Sequence, residues 1–183
     1  MNNTINIPVK YIDTTKYIVN ITPDEYMDGP DTWGNYTITN FGRDYDGNIN
    51  DYLTESGKVL PSVQAKLKAG KMFWLDRYEH SGVSYSLSGT GIMANDWDNS
   101  RNAAMLEFSN EYIKNTSYED RERYAKQDIK EYSDWANGEV YNLDITTDTG
   151  RDIDCIGGII GYENIKSYIA EVIGDAEYEI KEL

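Results

Sequence analysis

Hydrophobic and polar residues alternate in several stretches of the chain. Tyr36, Ile38 and Asn40 alternate with Thr37 and Thr39 ahead of Phe41-Gly42, which predicts a short strand. Lys71-Met72-Phe73-Trp74-Leu75 is an apolar run. Val83, Tyr85 and Leu87 then alternate with Ser84, Ser86 and Ser88, and Glu79-His80-Ser81-Gly82 between the two has turn chemistry. Residues 71–88 therefore predict a hairpin. A second hairpin follows from Tyr141, Leu143, Ile145 and Thr147 alternating with Asn142, Asp144 and Thr146. It turns at Thr149-Gly150 and returns through Ile153 and Cys155. Ala176, Tyr178 and Ile180 alternate with acids and predict an edge strand at the end.

Helical periodicity marks other segments. Ser100 or Asn99 can cap a helix to about Asn115 that holds Ala103, Ala104, Met105, Leu106, Phe108, Tyr112 and Ile113. Thr116-Ser117-Tyr118-Glu119 has the form of a capping box. The helix it opens carries Tyr118, Ala125, Ile129, Tyr132 and Ala136 on one stripe and stops at Asn137-Gly138. A third helix spans about Glu163 to Ile173, with Ile165, Tyr168, Ile169, Val172 and Ile173 as its stripe, and ends at Gly174. A short fourth helix covers Ser62 to Ala69 before Gly70. Hairpins mixed with helices, without a βαβ rhythm, predict an α+β fold: an antiparallel sheet of hairpins packed with about three α-helices.

No repeat, low-complexity stretch or linker divides the chain, so residues 1–183 are expected to form a single domain. The four prolines, at positions 8, 23, 30 and 61, fall in the first third. Residues 1–60 are therefore expected to be an irregular part with short strands, and residues 61–183 the main core. A start without a basic region or an apolar run, one cysteine and no membrane-length apolar window together predict a cytoplasmic protein with no membrane contact.

Charge changes the picture. The 32 acids and 17 bases leave a formal net charge of −15. Residues 136–183 hold eleven acids against three bases, whereas residues 61–100 are balanced at four each. Such a balance opposes direct nucleic-acid binding and favours a basic protein or nucleoprotein partner. The acids form clusters. Asp96 and Asp98 flank Trp97, and Glu119, Asp120 and Glu122 crowd a helix start. Asp144, Asp148, Asp152 and Asp154 line the second hairpin. These ten residues are the candidate partner-binding surface. Asp144 and Asp154 share the strand parity that points away from the core.

Catalytic chemistry is poorly represented. His80 is the only histidine and reads as a turn residue bonding locally. Cys155, among acids that disfavour its thiolate, reads as a small buried sulfur. Ser88-Gly89-Thr90-Gly91 lacks the Lys-Ser/Thr of a phosphate loop, and Gly157-Gly158-Ile159-Ile160-Gly161 suits a tight turn or close packing. Asp44, Asp46, Asn48, Asn50 and Glu55 have calcium-loop spacing, but the turn glycine is misplaced, and Asp46-Gly47-Asn48 reads more simply as a hairpin turn. No catalytic residue, metal or cofactor is assigned.

Trp74-Leu75-Asp76-Arg77-Tyr78-Glu79-His80-Ser81-Gly82-Val83-Ser84-Tyr85-Ser86, followed by Asp96-Trp97-Asp98-Asn99-Ser100, resembles a widespread group of small acidic phage and mobile-element proteins. Trp135-Ala136-Asn137-Gly138-Glu139-Val140-Tyr141 and Asp154-Cys155-Ile156-Gly157-Gly158 look like that group's second half. The likeness covers about residues 71–170 and lapses at Gly89 to Asn95 and after Ser100. Length, acidity and composition further resemble anti-CRISPR inhibitors of type II-A Cas9. That resemblance implies a counter-defence inhibitor that binds Cas9 with its guide RNA and blocks DNA binding or cleavage. The alternatives are a DNA-mimic anti-restriction protein, a metal-dependent hydrolase and a phage accessory protein. The aromatic content suits a homodimer without requiring one.

Overall fold

The computed structural model describes residues 16–90 and 98–182, and the fold is α+β. Strands β1 (Tyr17–Pro23), β2 (Tyr36–Asn40), β3 (Met72–Glu79), β4 (Val83–Leu87), β5 (Asn99–Phe108), β6 (Val140–Thr147), β7 (Asp152–Ile160) and β8 (Tyr178–Glu182) form two sheets. Their orders are β2-β5-β3-β4 and β7-β6-β1-β8. The α-helices are α1 (Pro61–Lys68), α2 (Tyr118–Ala136) and α3 (Tyr162–Ile173). No described helix is long and apolar enough to cross a membrane.

The β2-β5-β3-β4 sheet is covered on both faces. Tyr36, Ile38, Leu75, Leu87, Ala104 and Leu106 pack against Ala125, Ile129 and Tyr132 of α2. On the other face Met72 and Met105 meet Val63 of α1 and Phe41, whose ring stands 5.4 Å from Tyr52 and 6.1 Å from Trp74. Here the structure corrects the helix expected from Ser100 to Asn115. Residues 99–108 are the central strand β5, paired antiparallel with β2 and β3. A strand buried on both faces has no polar alternation, so Ala103 to Leu106 carry the mark of a buried element rather than of a period. Residues 110–115 form turns.

Both expected hairpins are present, as β3–β4 and β6–β7. The short helix before Gly70, the helix ending at Asn137-Gly138 and the helix ending at Gly174 are α1, α2 and α3. The α2 cap sits one residue further along than the Thr116 box. Ser117 Oγ accepts from the Asp120 amide at 3.1 Å and donates to its carboxylate at 3.0 Å. At the other end Asn137 fastens α2 to β4: its amide donates to the Val83 carbonyl at 2.8 Å and its carbonyl accepts from the Val83 amide at 2.7 Å.

In the second sheet Val19, Ile21, Leu143, Ile145 and Ile159 pack against Ile165 and Ile169 of α3. Strand β1 was not anticipated. It lies inside this sheet, antiparallel to β6 and parallel to β8. The terminal edge strand is β8, as expected. Asp46-Gly47-Asn48 is not a hairpin turn. Gly47 bridges to Phe41, so close that a Cβ would stand 2.2 Å from the Asn40 carbonyl oxygen, and Asn48 accepts from the Asn50 amide to open a 3-10 turn. Gly158, at φ 73°, packs under Met27 Sδ, which accords with the close packing expected of the glycine run.

Candidate functional site

The acids of the β6–β7 hairpin form the candidate site. The tip is built by Thr147 and Gly150. The Thr147 amide donates to the Arg151 carbonyl at 2.8 Å, its hydroxyl accepts from the Arg151 amide at 3.0 Å, and Gly150 takes φ 83°. The Asp148 amide donates to the Lys16 carbonyl at 2.9 Å, which ties the tip to the start of β1. Asp148 then lines a cavity of about 210 Å³ with Lys16, Glu177 and Glu179. Asp144, Asp152 and Asp154 line a depression of about 480 Å³ with Asn20, Ile153 and Cys155.

Parity is broken by shifts in the β6–β7 register. Asp144 stands opposite Cys155, and Asp154 opposite Ile145. Asp144 is accordingly exposed on the face away from α3, as expected. Asp154 is turned the other way: it is half-buried and accepts from the Tyr168 hydroxyl of α3 at 2.9 Å. Cys155 is exposed rather than buried, because the same shift puts it on the open face. The Asp144 carboxylate accepting from the thiol, with Asp154 and Asp152 nearby, raises the Cys155 pKa and keeps sulfur protonated. Hydrogen bonding to Asp154 likewise raises the Tyr168 phenol.

The other candidates lie elsewhere. Asp98 Oδ2 sits 3.2 Å from His80 Nδ1 at the far end of β3, so the histidine is held by that pair. Glu119, Asp120 and Glu122 occupy the first turns of α2. Asp120 pairs with Arg123 at 2.8 Å and Glu122 with Lys126 at 2.7 Å. The Ser117 bond, then Arg123, lowers the Asp120 pKa. Asp120 and Glu122 are thus neutralised locally, unlike the hairpin's acids. Asp96 and Trp97 lie outside the described residues.

A compact acidic set emerges that no run of sequence displays. Ligand oxygens of Asp134, Glu139 and Glu163 lie within 4.8 Å of one another, where the end of α2 meets the start of α3. Lys130 Nζ stands 2.6 Å from Asp134 and also bonds Glu163, so an ammonium already holds the place a cation would take. Those two carboxylates raise the Lys130 pKa, and Lys130 in turn lowers that of Glu163. Replacing Lys130 with Met is expected to cost about 1 kcal/mol in urea unfolding at low ionic strength, with the loss shrinking in about 1 M salt. A cost unchanged by salt would contradict the electrostatic account.

No family model, curated protein or solved structure matches the chain.

Charge is distributed as follows. The segments 16–24 and 139–182, which supply the β7-β6-β1-β8 sheet and α3, hold twelve carboxylates against four cations. Among the described residues, the one ion pair reaching these segments is Lys130–Glu163. Asp144, Asp148, Asp152 and Asp154 form none.

Proposed function

We propose that the protein is a binding protein that sets its acidic β6–β7 end into a Lys/Arg-lined groove of a nucleic-acid-handling nuclease and so inhibits it. The observation that carries this reading is the unpaired state of Asp144, Asp148 and Asp152 on a sheet where carboxylates outnumber cations three to one. By contrast Glu107, Asp120 and Glu122 sit in local ion pairs. Unpaired like charges repel, and a cationic groove would relieve that repulsion and speed encounter. The likeness of residues 71–170 to acidic mobile-element proteins, and of the whole to anti-CRISPR inhibitors, supports Cas9 with its guide RNA as the target. The same surface fits a restriction enzyme.

Size-exclusion chromatography with Cas9–guide RNA tests the proposal. A complex is expected in about 100 mM NaCl and should weaken at least about tenfold by about 500 mM. The combined Asp144→Lys, Asp148→Lys and Asp152→Lys variant should lose at least about tenfold in affinity at low salt. A complex with a restriction enzyme instead would move the target while keeping the mechanism. No complex with either partner at either salt would overturn the proposal.

A further inference from the structure

Strand β8 forms one edge of the β7-β6-β1-β8 sheet, and among the described residues no strand lies beyond it. Its hydrogen-bonding phase follows from two facts. Tyr17 pairs with Tyr178 in parallel register, and the Tyr17 amide donates to the Glu177 carbonyl at 3.1 Å. In a parallel ladder the groups facing the partner then belong to alternate residues: 177, 179 and 181. The amide and carbonyl groups of Tyr178, Ile180 and Glu182 therefore point outward.

Helix α3 lies over β6 and β7 and leaves the β8 margin of its face uncovered. Tyr178 and Ile180 on that margin remain 41% and 37% exposed. The opposite face of β8 carries Glu179 and Lys181, both exposed, beside Ile18 and Asn20 of β1.

We infer that β8 pairs with β8 of a second copy of this chain, joining the two four-stranded sheets into one of eight strands.

Three features of the edge agree on this occupant. Two-fold symmetry requires identical edges to run antiparallel. Centring the pair on Ile180 makes that residue exchange both backbone bonds with its counterpart, which is the role its outward amide and carbonyl are set for. The same centring puts Glu179 directly opposite the partner's Lys181, and Lys181 opposite the partner's Glu179. These are non-hydrogen-bonded positions, where side chains approach most closely. The strand thus carries opposite charges at mirror-related positions about an isoleucine. Tyr178 and Ile180 of each copy meet on the α3 side and cover the exposed margin. Glu179 also lines the Asp148 cavity, but sedimentation of the protein alone reads the pairing without any inhibitory partner, so its failure is distinguishable from that of the proposed function.

Five paired residues make a small contact, below the roughly 1,200 Å² of stable interfaces, so a dimer in the range of about 10–100 µM is expected. Sedimentation equilibrium of the full chain over about 5–500 µM reads it. Glu179→Lys alone, or Lys181→Glu alone, sets like charges face to face and should weaken dimerisation by about tenfold or more. The double variant Glu179→Lys/Lys181→Glu restores opposite pairs and should return to within about threefold of the original. Ile180→Pro removes an outward donor while leaving the bonds to β1, and should abolish the dimer without changing the circular dichroism spectrum. A monomer throughout the range, a dimer indifferent to the single reversals, or a double variant that stays dissociated would each overturn the inference.

Discussion

Asp76→Ala is expected to lower the stability of the protein by about 3 kcal/mol in urea unfolding. Asp76 is 5% exposed on β3 and faces away from α2, where its carboxylate is ringed by donors. It accepts from Ser88 Oγ at 2.5 Å, from the Asn102 amide at 2.9 Å and from the Gly89 amide at 3.3 Å. Those donors lie on β5 and on the turn after β4. At Asn102 the backbone is left-handed, with φ 48°, where the β3–β5 register shifts between Leu75 and Arg77. The carboxylate thus closes a bulge that the ladder cannot satisfy. Truncation leaves two backbone amides and a hydroxyl without that acceptor, and this is the cost. A loss under about 1 kcal/mol would show that water replaces the carboxylate without penalty.

Asp128→Asn should act in the opposite direction, and only above acidic pH. Asp128 is 4% exposed on the α2 face that meets β2, and its Oδ2 has no hydrogen-bond partner. Oδ1 accepts from the Tyr112 hydroxyl at 3.2 Å. Burial pushes its pKa up from 3.8 to about 7; the Tyr112 bond opposes this, and Glu131 adds to it. The folded state therefore binds a proton more tightly than the unfolded chain. Below pH 4 both states are protonated and the shift has no effect on stability. Between pH 4 and 7 stability falls as pH rises, and above 7 the full cost of the buried charge is present. Asp31 and Glu131, also raised mainly by burial, act with the same sign. The amide variant should be more stable than the original by about 2 kcal/mol at pH 8 and nearly equal to it at pH 4. Thermal melts at the two pH values decide the matter; equal stability at pH 8, or a deficit, would show that the carboxylate finds a donor there.

Much of the fold was legible where one face of an element is wet. The β3–β4 and β6–β7 hairpins and helices α2 and α3 alternate or recur cleanly, and their turns carry Gly, Asn and Thr. Reading failed for β5, buried on both faces at Ala103 to Leu106, and for β1. Strand β5 shows a continuous apolar run rich in helix formers, and its identity is settled by β2 and β3 on either side. Strand β1 is short and ends in proline, so it reads as irregular, yet the β6 and β8 ladders capture it. Among the candidate acids, clustering in sequence predicted clustering in space along the β6–β7 hairpin only. The facing of Asp154 and Cys155 depends on register shifts, which leave no local mark. Asp128 did leave one: it falls on the Ala125, Ile129 and Tyr132 stripe of α2, where an acid is out of place. The Asp134–Glu139–Glu163 set brings together residues from α2, the following turn and α3, which no linear pattern joins.

The place of β1 between β6 and β8 sets an order on synthesis. Residues 17–23 leave the ribosome first among the strands, but their ladders wait for residues 140–147 and 178–182. The β2-β5-β3-β4 sheet with α2 is complete by residue 136 and can fold while the rest is still being made. Until β6, β7 and α3 emerge, Val19 and Ile21 have no lasting cover. The nascent chain therefore carries an open apolar segment while residues 24–139 are made, and its pairing waits on distant strands rather than on any local signal.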